Sequence, residues 1–513
     1  MLVTSCRLAF SLLRRLPSLR GVGVYGVGVC NLGTVAGGKY QQAHVSVTAS
    51  ADPSTTHPGQ DEVKKSAALQ LNFGNHKTAF KHKTTRELLR GLVVLHSCAV
   101  DTLVNHSHKL LSLGERLLGE RLLGYMVAPF YNQFVAGDSG QELGVVSQRL
   151  ASVGVRLMVA PMLETDVGEG HDVQEMYTKN LNKTIHLIDL SRQHSILGTA
   201  RPICQTKITA HVTADILARV STAYQSLSMA ERVEAVRVVA ALLVEVGSDG
   251  HTTTSSHLLH PLQLKESDAL ELIDSLPRLY KLGAQCVLQD VVLAVDAEYT
   301  YTNPAINLLS LAMMKVFNNP TPIIWNTYQG YLKAGRENLE HDLGVVRALG
   351  GNVGFGAKLV RGAYLERERS LAQEKGYPDP VNNTYEDTAA VYTSMVEVML
   401  QEVAAEAESR AVVVATHNEA SVKHAAGRLE QLRLDPQAGN VVFGQVYGMA
   451  ENISVPLAAS GFLVFKSVPS GSMSEVMPYL SRRANENRAV LRGARRERQL
   501  LTRELLSRLP FSR

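Results

Sequence analysis

Eight short apolar runs, separated by amphipathic helical stretches, follow Gly140, and they restrict the fold of this 513-residue chain more than any other feature. They read RLMVA, CQTKITA, VVLAVDA, PIIWNTY, AKLVR, AVVVAT, VVFGQV and FLVFKSV. Eight strands alternating with helices predict an α/β fold of the (β/α)8, TIM-like barrel type. A hydrophobic content of 45% is enough to fill such a core.

The segments flanking the barrel differ in kind. From Thr84 to Phe134 apolar residues recur at three- and four-residue spacing, the pattern of packing helices. Before them, Arg7, Arg14, Arg15 and Arg20 occur with no acid ahead of Asp52, the profile of a mitochondrial transit peptide. The stretch between the second and third runs is too long for one crossover helix and reads as a helical insertion. The organisation expected is a leader at 1–40, a flexible linker at 41–66, a helical region at 67–145, a barrel at 146–491 with an insertion near 215–285, and a basic C-terminal helix at 492–513. That helix carries seven arginines and suits either a solvated end or contact with anionic lipid.

Several functions are excluded by composition and context. Lys and Arg total 52 against 48 acids, so the net charge of +4 gives no reason to expect nucleic acid. Five scattered cysteines lack metal-type spacing, and no metal site is expected. Gly21, Gly23 and Gly26 satisfy a dinucleotide-binding spacing, yet no strand precedes them. The SDGHTTTSS segment puts Gly250 at the turn position of a calcium loop, but Gly247 and Ser256 stand where ligands belong.

In a barrel of this type, catalytic groups sit where strands end. The ends of the eight runs give Lys207, Asp296, Gln329, the stretch Lys358 to Tyr364, Thr416-His417-Asn418, Gln445 and Ser467. Beyond the last run, Tyr479, Arg482, Arg483 and Glu486 share one helical face. Two arginines oriented by a glutamate suit bidentate capture of a small carboxylate.

The stretch Lys358-Leu-Val-Arg-Gly-Ala-Tyr364 with Glu368-Arg369, and Tyr479-Leu-Ser-Arg-Arg-Ala-Asn-Glu486-Asn487, resemble the proline dehydrogenase family. Lys207-Ile-Thr-Ala, Asp296-Ala-Glu298, Tyr328-Gln329, Thr416-His417-Asn418-Glu419 and Phe443-Gly-Gln445 follow in family order, so the likeness covers the chain from about Tyr131 onward. The resemblance implies non-covalent FAD, hydride transfer from substrate C5 to the flavin, and reoxidation by ubiquinone through peripheral contact with the matrix side of the mitochondrial inner membrane. It implies that Gln329, Lys358, Val360, Arg361, Gly362, Ala363, Thr416, His417, Asn418 and Gln445 contact the flavin. Arg482 and Arg483 would pair with the substrate carboxylate, and Lys207, Asp296, Tyr364, Tyr479 and Glu486 would complete the pocket.

Proline-oxidising members carry a tyrosine twelve residues before the helix tyrosine, where this chain has Ser467. A serine removes bulk where a 4-hydroxyl projects and offers it a donor and an acceptor. The sequence therefore resembles the hydroxyproline-oxidising branch, with trans-4-hydroxy-L-proline as substrate and 1-pyrroline-3-hydroxy-5-carboxylate as product. The alternatives are L-proline oxidation to 1-pyrroline-5-carboxylate and, more remotely, an inactive barrel that only binds. Ser470-Gly471 replaces the Tyr-Gly of animal relatives, a departure that alters the loop after the eighth strand.

Overall fold

The computed structural model describes residues 71–163, 173–196, 198, 200–249, 256–473, 476 and 495–509. The leader and linker, and with them Gly21 to Gly26, lie outside the described residues, as do Gly250 and the helix face of Tyr479, Arg482, Arg483 and Glu486.

Among the described residues eight parallel strands close a barrel in sequence order: β1 Val155–Pro161, β2 Ile203–Thr206, β3 Val292–Val295, β4 Ile324–Gln329, β5 Phe355–Val360, β6 Arg410–Ala415, β7 Val441–Val446 and β8 Val464–Ser470. Each contains part of one of the eight apolar runs. Closure is made by β1 and β8, whose register extends from Val155 opposite Val464 to Pro161 opposite Ser470. The strands read as apolar runs because both their faces are covered. Alternate residues such as Met158, Ile203, Trp325 and Phe465 pack together in the lumen, while Val159, Cys204, Phe355 and Phe443 join the larger core beneath the helices. Gly356 is needed beside Trp325, since a Cβ there would lie 2.0 Å from the indole.

Between β2 and β3 the chain forms the helices Ala214–Gln225, Met229–Asp249 and Glu266–Gln289. They enclose the helix Asn303–Phe317, in which Ala305 through Met314 are buried except at Asn307. Ser221 fixes its start by accepting from the Ala305 N–H at 3.0 Å.

The N-terminal helices divide. Thr85–Ser97 begins with a reciprocal capping box, Thr84 with Glu87, and buries Leu88, Val94 and Leu95. Ser107–Phe134, broken at Gly119, instead turns Leu113, Leu117, Tyr125 and Met126 outward. Its pattern is helical, as the spacing indicates, but much of it does not serve packing.

The C-terminal helix Arg495–Ser507 departs from the expectation of a solvated or lipid-lying tail. Leu500 and Leu501 join Phe80, Leu88 and Leu95 in one apolar cluster, so its apolar side faces the N-terminal helices while Arg495, Arg496 and Arg503 face outward. Glu497 accepts from the Ala450 N–H at 2.9 Å and the Glu451 N–H at 3.2 Å, which caps the helix Glu451–Ala459. Glu451 in turn pairs with Lys83 at 3.0 Å and faces the buried Lys466 at 3.9 Å. Burial opposes the charge on Glu451, but Lys466 and Lys83 hold its carboxyl down at about 2. Removing the Glu497 carboxylate leaves two buried N–H groups unpaired, so Glu497→Ala is expected to cost about 2 kcal/mol, read as a fall in thermal midpoint.

Candidate functional site

A polar layer crosses the lumen directly above its apolar filling. Gln205, Asp296, Lys358 and Ser467 each lie two residues beyond a luminal position, namely Ile203, Ala294, Gly356 and Phe465. The strand period of two therefore points all four inward. Their contacts require this, since β2 is not a neighbour of β5 or β8 in the sheet, yet its Gln205 reaches both. Lys358 forms an ion pair with Asp296 and donates to Gln205 Oε1 at 3.1 Å, while Gln205 Nε2 donates to Ser467 Oγ at 2.7 Å. Lys358 is only 5% exposed, so the ammonium depends on these partners. Asp296 is itself positioned by its N–H, which donates to the Thr206 carbonyl at 2.8 Å.

A second group sits on the β2, β3 and β4 side. The Gln329 amide is fully engaged within the protein: Nε2 donates to the Glu298 carbonyl at 3.1 Å and the Tyr331 hydroxyl at 3.2 Å, and Oε1 accepts from Asn303 at 2.7 Å. Glu298 accepts from the Thr209 hydroxyl at 2.6 Å and from its N–H at 3.2 Å. Burial pushes the Glu298 carboxyl up, against the pull of nearby Lys207, which lies just past β2. Beyond β5, Val360 is in register with Gln329, and Gly362 packs so closely that a Cβ would be 2.9 Å from the Tyr331 ring. Ala363 and Tyr364 close the same apolar cluster, with the Tyr364 ring 4.7 Å from that of Tyr299. Glu368 anchors the following helix by accepting from the Thr300 N–H and hydroxyl, both at 2.7 Å.

The third group surrounds Arg361. Its Nη1 donates to Ser421 Oγ at 3.0 Å, and its guanidinium lies 4.8 Å from the Tyr385 ring centre. Its Nη2 is buried with no hydrogen-bond partner among the described residues. A buried donor of this kind requires an acceptor, and an anionic or carbonyl-bearing ligand supplies one. Asn418 stands alongside as the cap of the helix Glu419–Gln431, accepting from the Ser421 N–H at 2.8 Å and donating to the Tyr385 hydroxyl. Thr416 supports that turn, its hydroxyl accepting from the Asn418 N–H at 3.0 Å.

The strand-end residues do not all converge. Gln445 has the parity of Phe443 and faces the outer helices, where it accepts from Ser454 at 2.9 Å and donates to the Thr416 carbonyl at 3.3 Å. Ser470 and Gly471 are held by the segment before the barrel: the Gly471 N–H donates to the Gly137 carbonyl at 3.0 Å, and the Tyr131 hydroxyl to the Gly471 carbonyl at 2.7 Å. The strand-end pattern does not reveal Gln205 or Tyr385. Gln205 precedes the polar end of its run by two residues, and strand parity was the signal that could have found it; Tyr385 begins a helix with no marker of its partner.

His417 has a definite protonation state. Its Nε2 accepts from the Val446 N–H at 2.9 Å, which only a neutral ring can do. Burial and nearby Lys466 push its pKa down to about 3. A histidine neutral when folded but basic when unfolded lets the unfolded state bind the extra proton, so stability falls as pH drops from about 6.5 toward 3. His417→Asn keeps an acceptor without a titrating group, and its urea midpoint is expected to fall less between pH 7 and pH 5 than that of the wild type.

Comparisons with known proteins bear on the family and the fold. The proline dehydrogenase family model matches residues 147–496. Hydroxyproline dehydrogenase of Xenopus laevis is 39% identical, covering 89% of this chain and 94% of that protein. Hydroxyproline dehydrogenase of Homo sapiens is 38% identical, covering 84% and 92%. Proline dehydrogenase 1, mitochondrial, of Homo sapiens is 32% identical, covering 86% and 90%. Among solved structures, proline utilization A (PutA) from Bdellovibrio bacteriovorus shares the fold, with a TM-score of 0.55 at 18% identity over 87% of this chain. This chain spans 42% of that longer one. With an eight-stranded parallel barrel, a family match over most of its length and relatives at this identity, the chain belongs to the proline dehydrogenase family.

Proposed function

We propose that this chain is a mitochondrial, FAD-dependent dehydrogenase that oxidises trans-4-hydroxy-L-proline to 1-pyrroline-3-hydroxy-5-carboxylate and passes the electrons to ubiquinone. The observation that carries the substrate is Ser467: its hydroxyl, joined by Gln205 to the buried Lys358–Asp296 pair, stands in the lumen where proline-oxidising relatives are expected to place a ring. The relatives named hydroxyproline dehydrogenase reach 37% to 39% identity, those named proline dehydrogenase 1 reach 29% to 32%, and the order favours the same reading.

The cofactor assignment rests on chemistry that the site leaves open. Arg361 presents a buried nitrogen without a partner among the described residues, beside Tyr385 and the capped start of the helix Glu419–Gln431. These groups fit an anionic, planar, carbonyl-bearing ligand, and FAD is one. Arg361, Lys358, Thr416, His417 and Asn418 would hold it, with Val360, Gly362 and Ala363 lining its approach. Gln329 and Gln445 are already bonded within the protein and would act mainly by fixing their neighbours. When bound, FAD would supply the acceptor for the hydride leaving substrate C5. The chain's own part is to bind, orient and neutralise: on the family resemblance, Arg482 and Arg483 would take the substrate carboxylate, and Tyr479 and Glu486 would complete that side of the pocket. Lys207, Asp296 and Tyr364 complete the pocket.

The mitochondrial address is supported by the arginine-bearing, acid-free leader and by the relatives that carry that word in their name. A lipid-dissolved acceptor implies peripheral contact with the matrix face of the inner membrane. That contact cannot use the apolar side of Arg495–Ser507, which other helices cover.

Two measurements test the reading. Arg361→Ala leaves a cofactor anion or carbonyl unmet, so the purified variant is expected to lose most of its flavin absorbance relative to wild type. Ser467→Tyr restores the bulk of the proline-oxidising pattern and is expected to lower the kcat/KM ratio of trans-4-hydroxy-L-proline to L-proline by about tenfold or more. A wild type that prefers L-proline would overturn the substrate assignment.

A further inference from the structure

A smaller residue at position 467 explains why a hydroxylated ring is admitted, but not why an unhydroxylated one is disfavoured. The smaller ring fits any pocket that accepts the larger. Discrimination against it requires a polar group left unpaired when the 4-hydroxyl is missing.

Gln205 supplies that condition. The Lys358 ammonium has only donors, so the Gln205 atom facing it at 3.1 Å must be the carbonyl oxygen. The amide orientation is thereby fixed, and Nε2, which also has only donors, faces Ser467 Oγ at 2.7 Å. Ser467 must accept from it. Its own proton is turned away from Gln205, and among the described residues nothing accepts it. The result is a one-way series of donors from the buried ammonium through the amide to the serine hydroxyl, each bond polarising the next.

We propose that Gln205 is a positioning residue for substrate choice: locked by Lys358, it makes Ser467 a hydrogen-bond donor aimed at the 4-hydroxyl oxygen of the substrate. The inference rests on the reading of the chain as a hydroxyproline-oxidising enzyme. With trans-4-hydroxy-L-proline bound, the serine proton has an acceptor. With L-proline bound, the same proton faces a methylene group.

The test is the ratio of kcat/KM for trans-4-hydroxy-L-proline to that for L-proline in the flavin-loaded enzyme. Gln205→Met keeps nearly the same volume but removes both bonds and so frees the serine to turn. Gln205→Leu serves if that variant does not fold. Each is expected to lower the ratio about tenfold, as is Ser467→Ala. Because Gln205 acts through Ser467, the Gln205→Met, Ser467→Ala double variant should fall no further than Ser467→Ala alone.

A merely structural Gln205 would depress both substrates in proportion and leave the ratio unmoved. If the wild type prefers hydroxyproline and the Gln205 variants keep its ratio, the role given to Gln205 fails and the substrate reading stands. If the wild type prefers L-proline, the substrate reading fails and takes this inference with it.

Discussion

The buried ammonium of Lys358 is the constraint around which the upper lumen is arranged. A cation that is 5% exposed and sits on a filling of Trp325, Ile203 and Phe465 is tolerated only where opposite charge and hydrogen-bond acceptors surround it. Asp296 supplies the charge and Gln205 the neutral acceptor. Because the three residues come from β5, the end of β3 and β2, satisfying one charge ties β5 to two strands with which it shares no backbone ladder. Ser467 on β8 extends the tie to the strand that closes the ring.

Around this centre the polar groups separate into two kinds. Gln329, Gln445, Glu298 and Glu368 are saturated by neighbouring side chains and backbone, and they hold walls and turns in place. Arg361 is different: one side of its guanidinium is anchored by Ser421 and Tyr385, and the other is unmet among the described residues. An anchored group with one open valence for a hydrogen bond needs little reorganisation when its ligand arrives. The site thus combines a rigid, internally satisfied frame with a few directed groups.

The barrel was legible because parallel strands covered on both sides must be written as apolar runs, and the end of a run marks the rim. Lys358, Asp296 and Ser467 were found by that rule. Gln445 obeys the same rule yet faces outward, since the end of a run says nothing about parity until the register is known. Gln205 was hidden for the converse reason: its importance comes from partners 153 and 262 residues away, a proximity that closure creates and local pattern cannot carry. The tail misled in a similar way. Its arginines are as basic as the sequence indicates, but the cover over Leu500 and Leu501 comes from Phe80, Leu88 and Leu95, far back in the chain.

The capping of Glu451–Ala459 by Glu497 has a consequence for biosynthesis. A nascent chain that has not yet reached residue 495 can form its barrel ladders, but it lacks the carboxylate that satisfies Ala450 and Glu451 and the leucines that cover Phe80 and Leu88. During that interval the N-terminal helices present a greasy, unfinished face, the kind of surface that chaperones retain. The helix Arg495–Ser507 therefore acts as a latch: its docking both covers that apolar face and caps Glu451–Ala459.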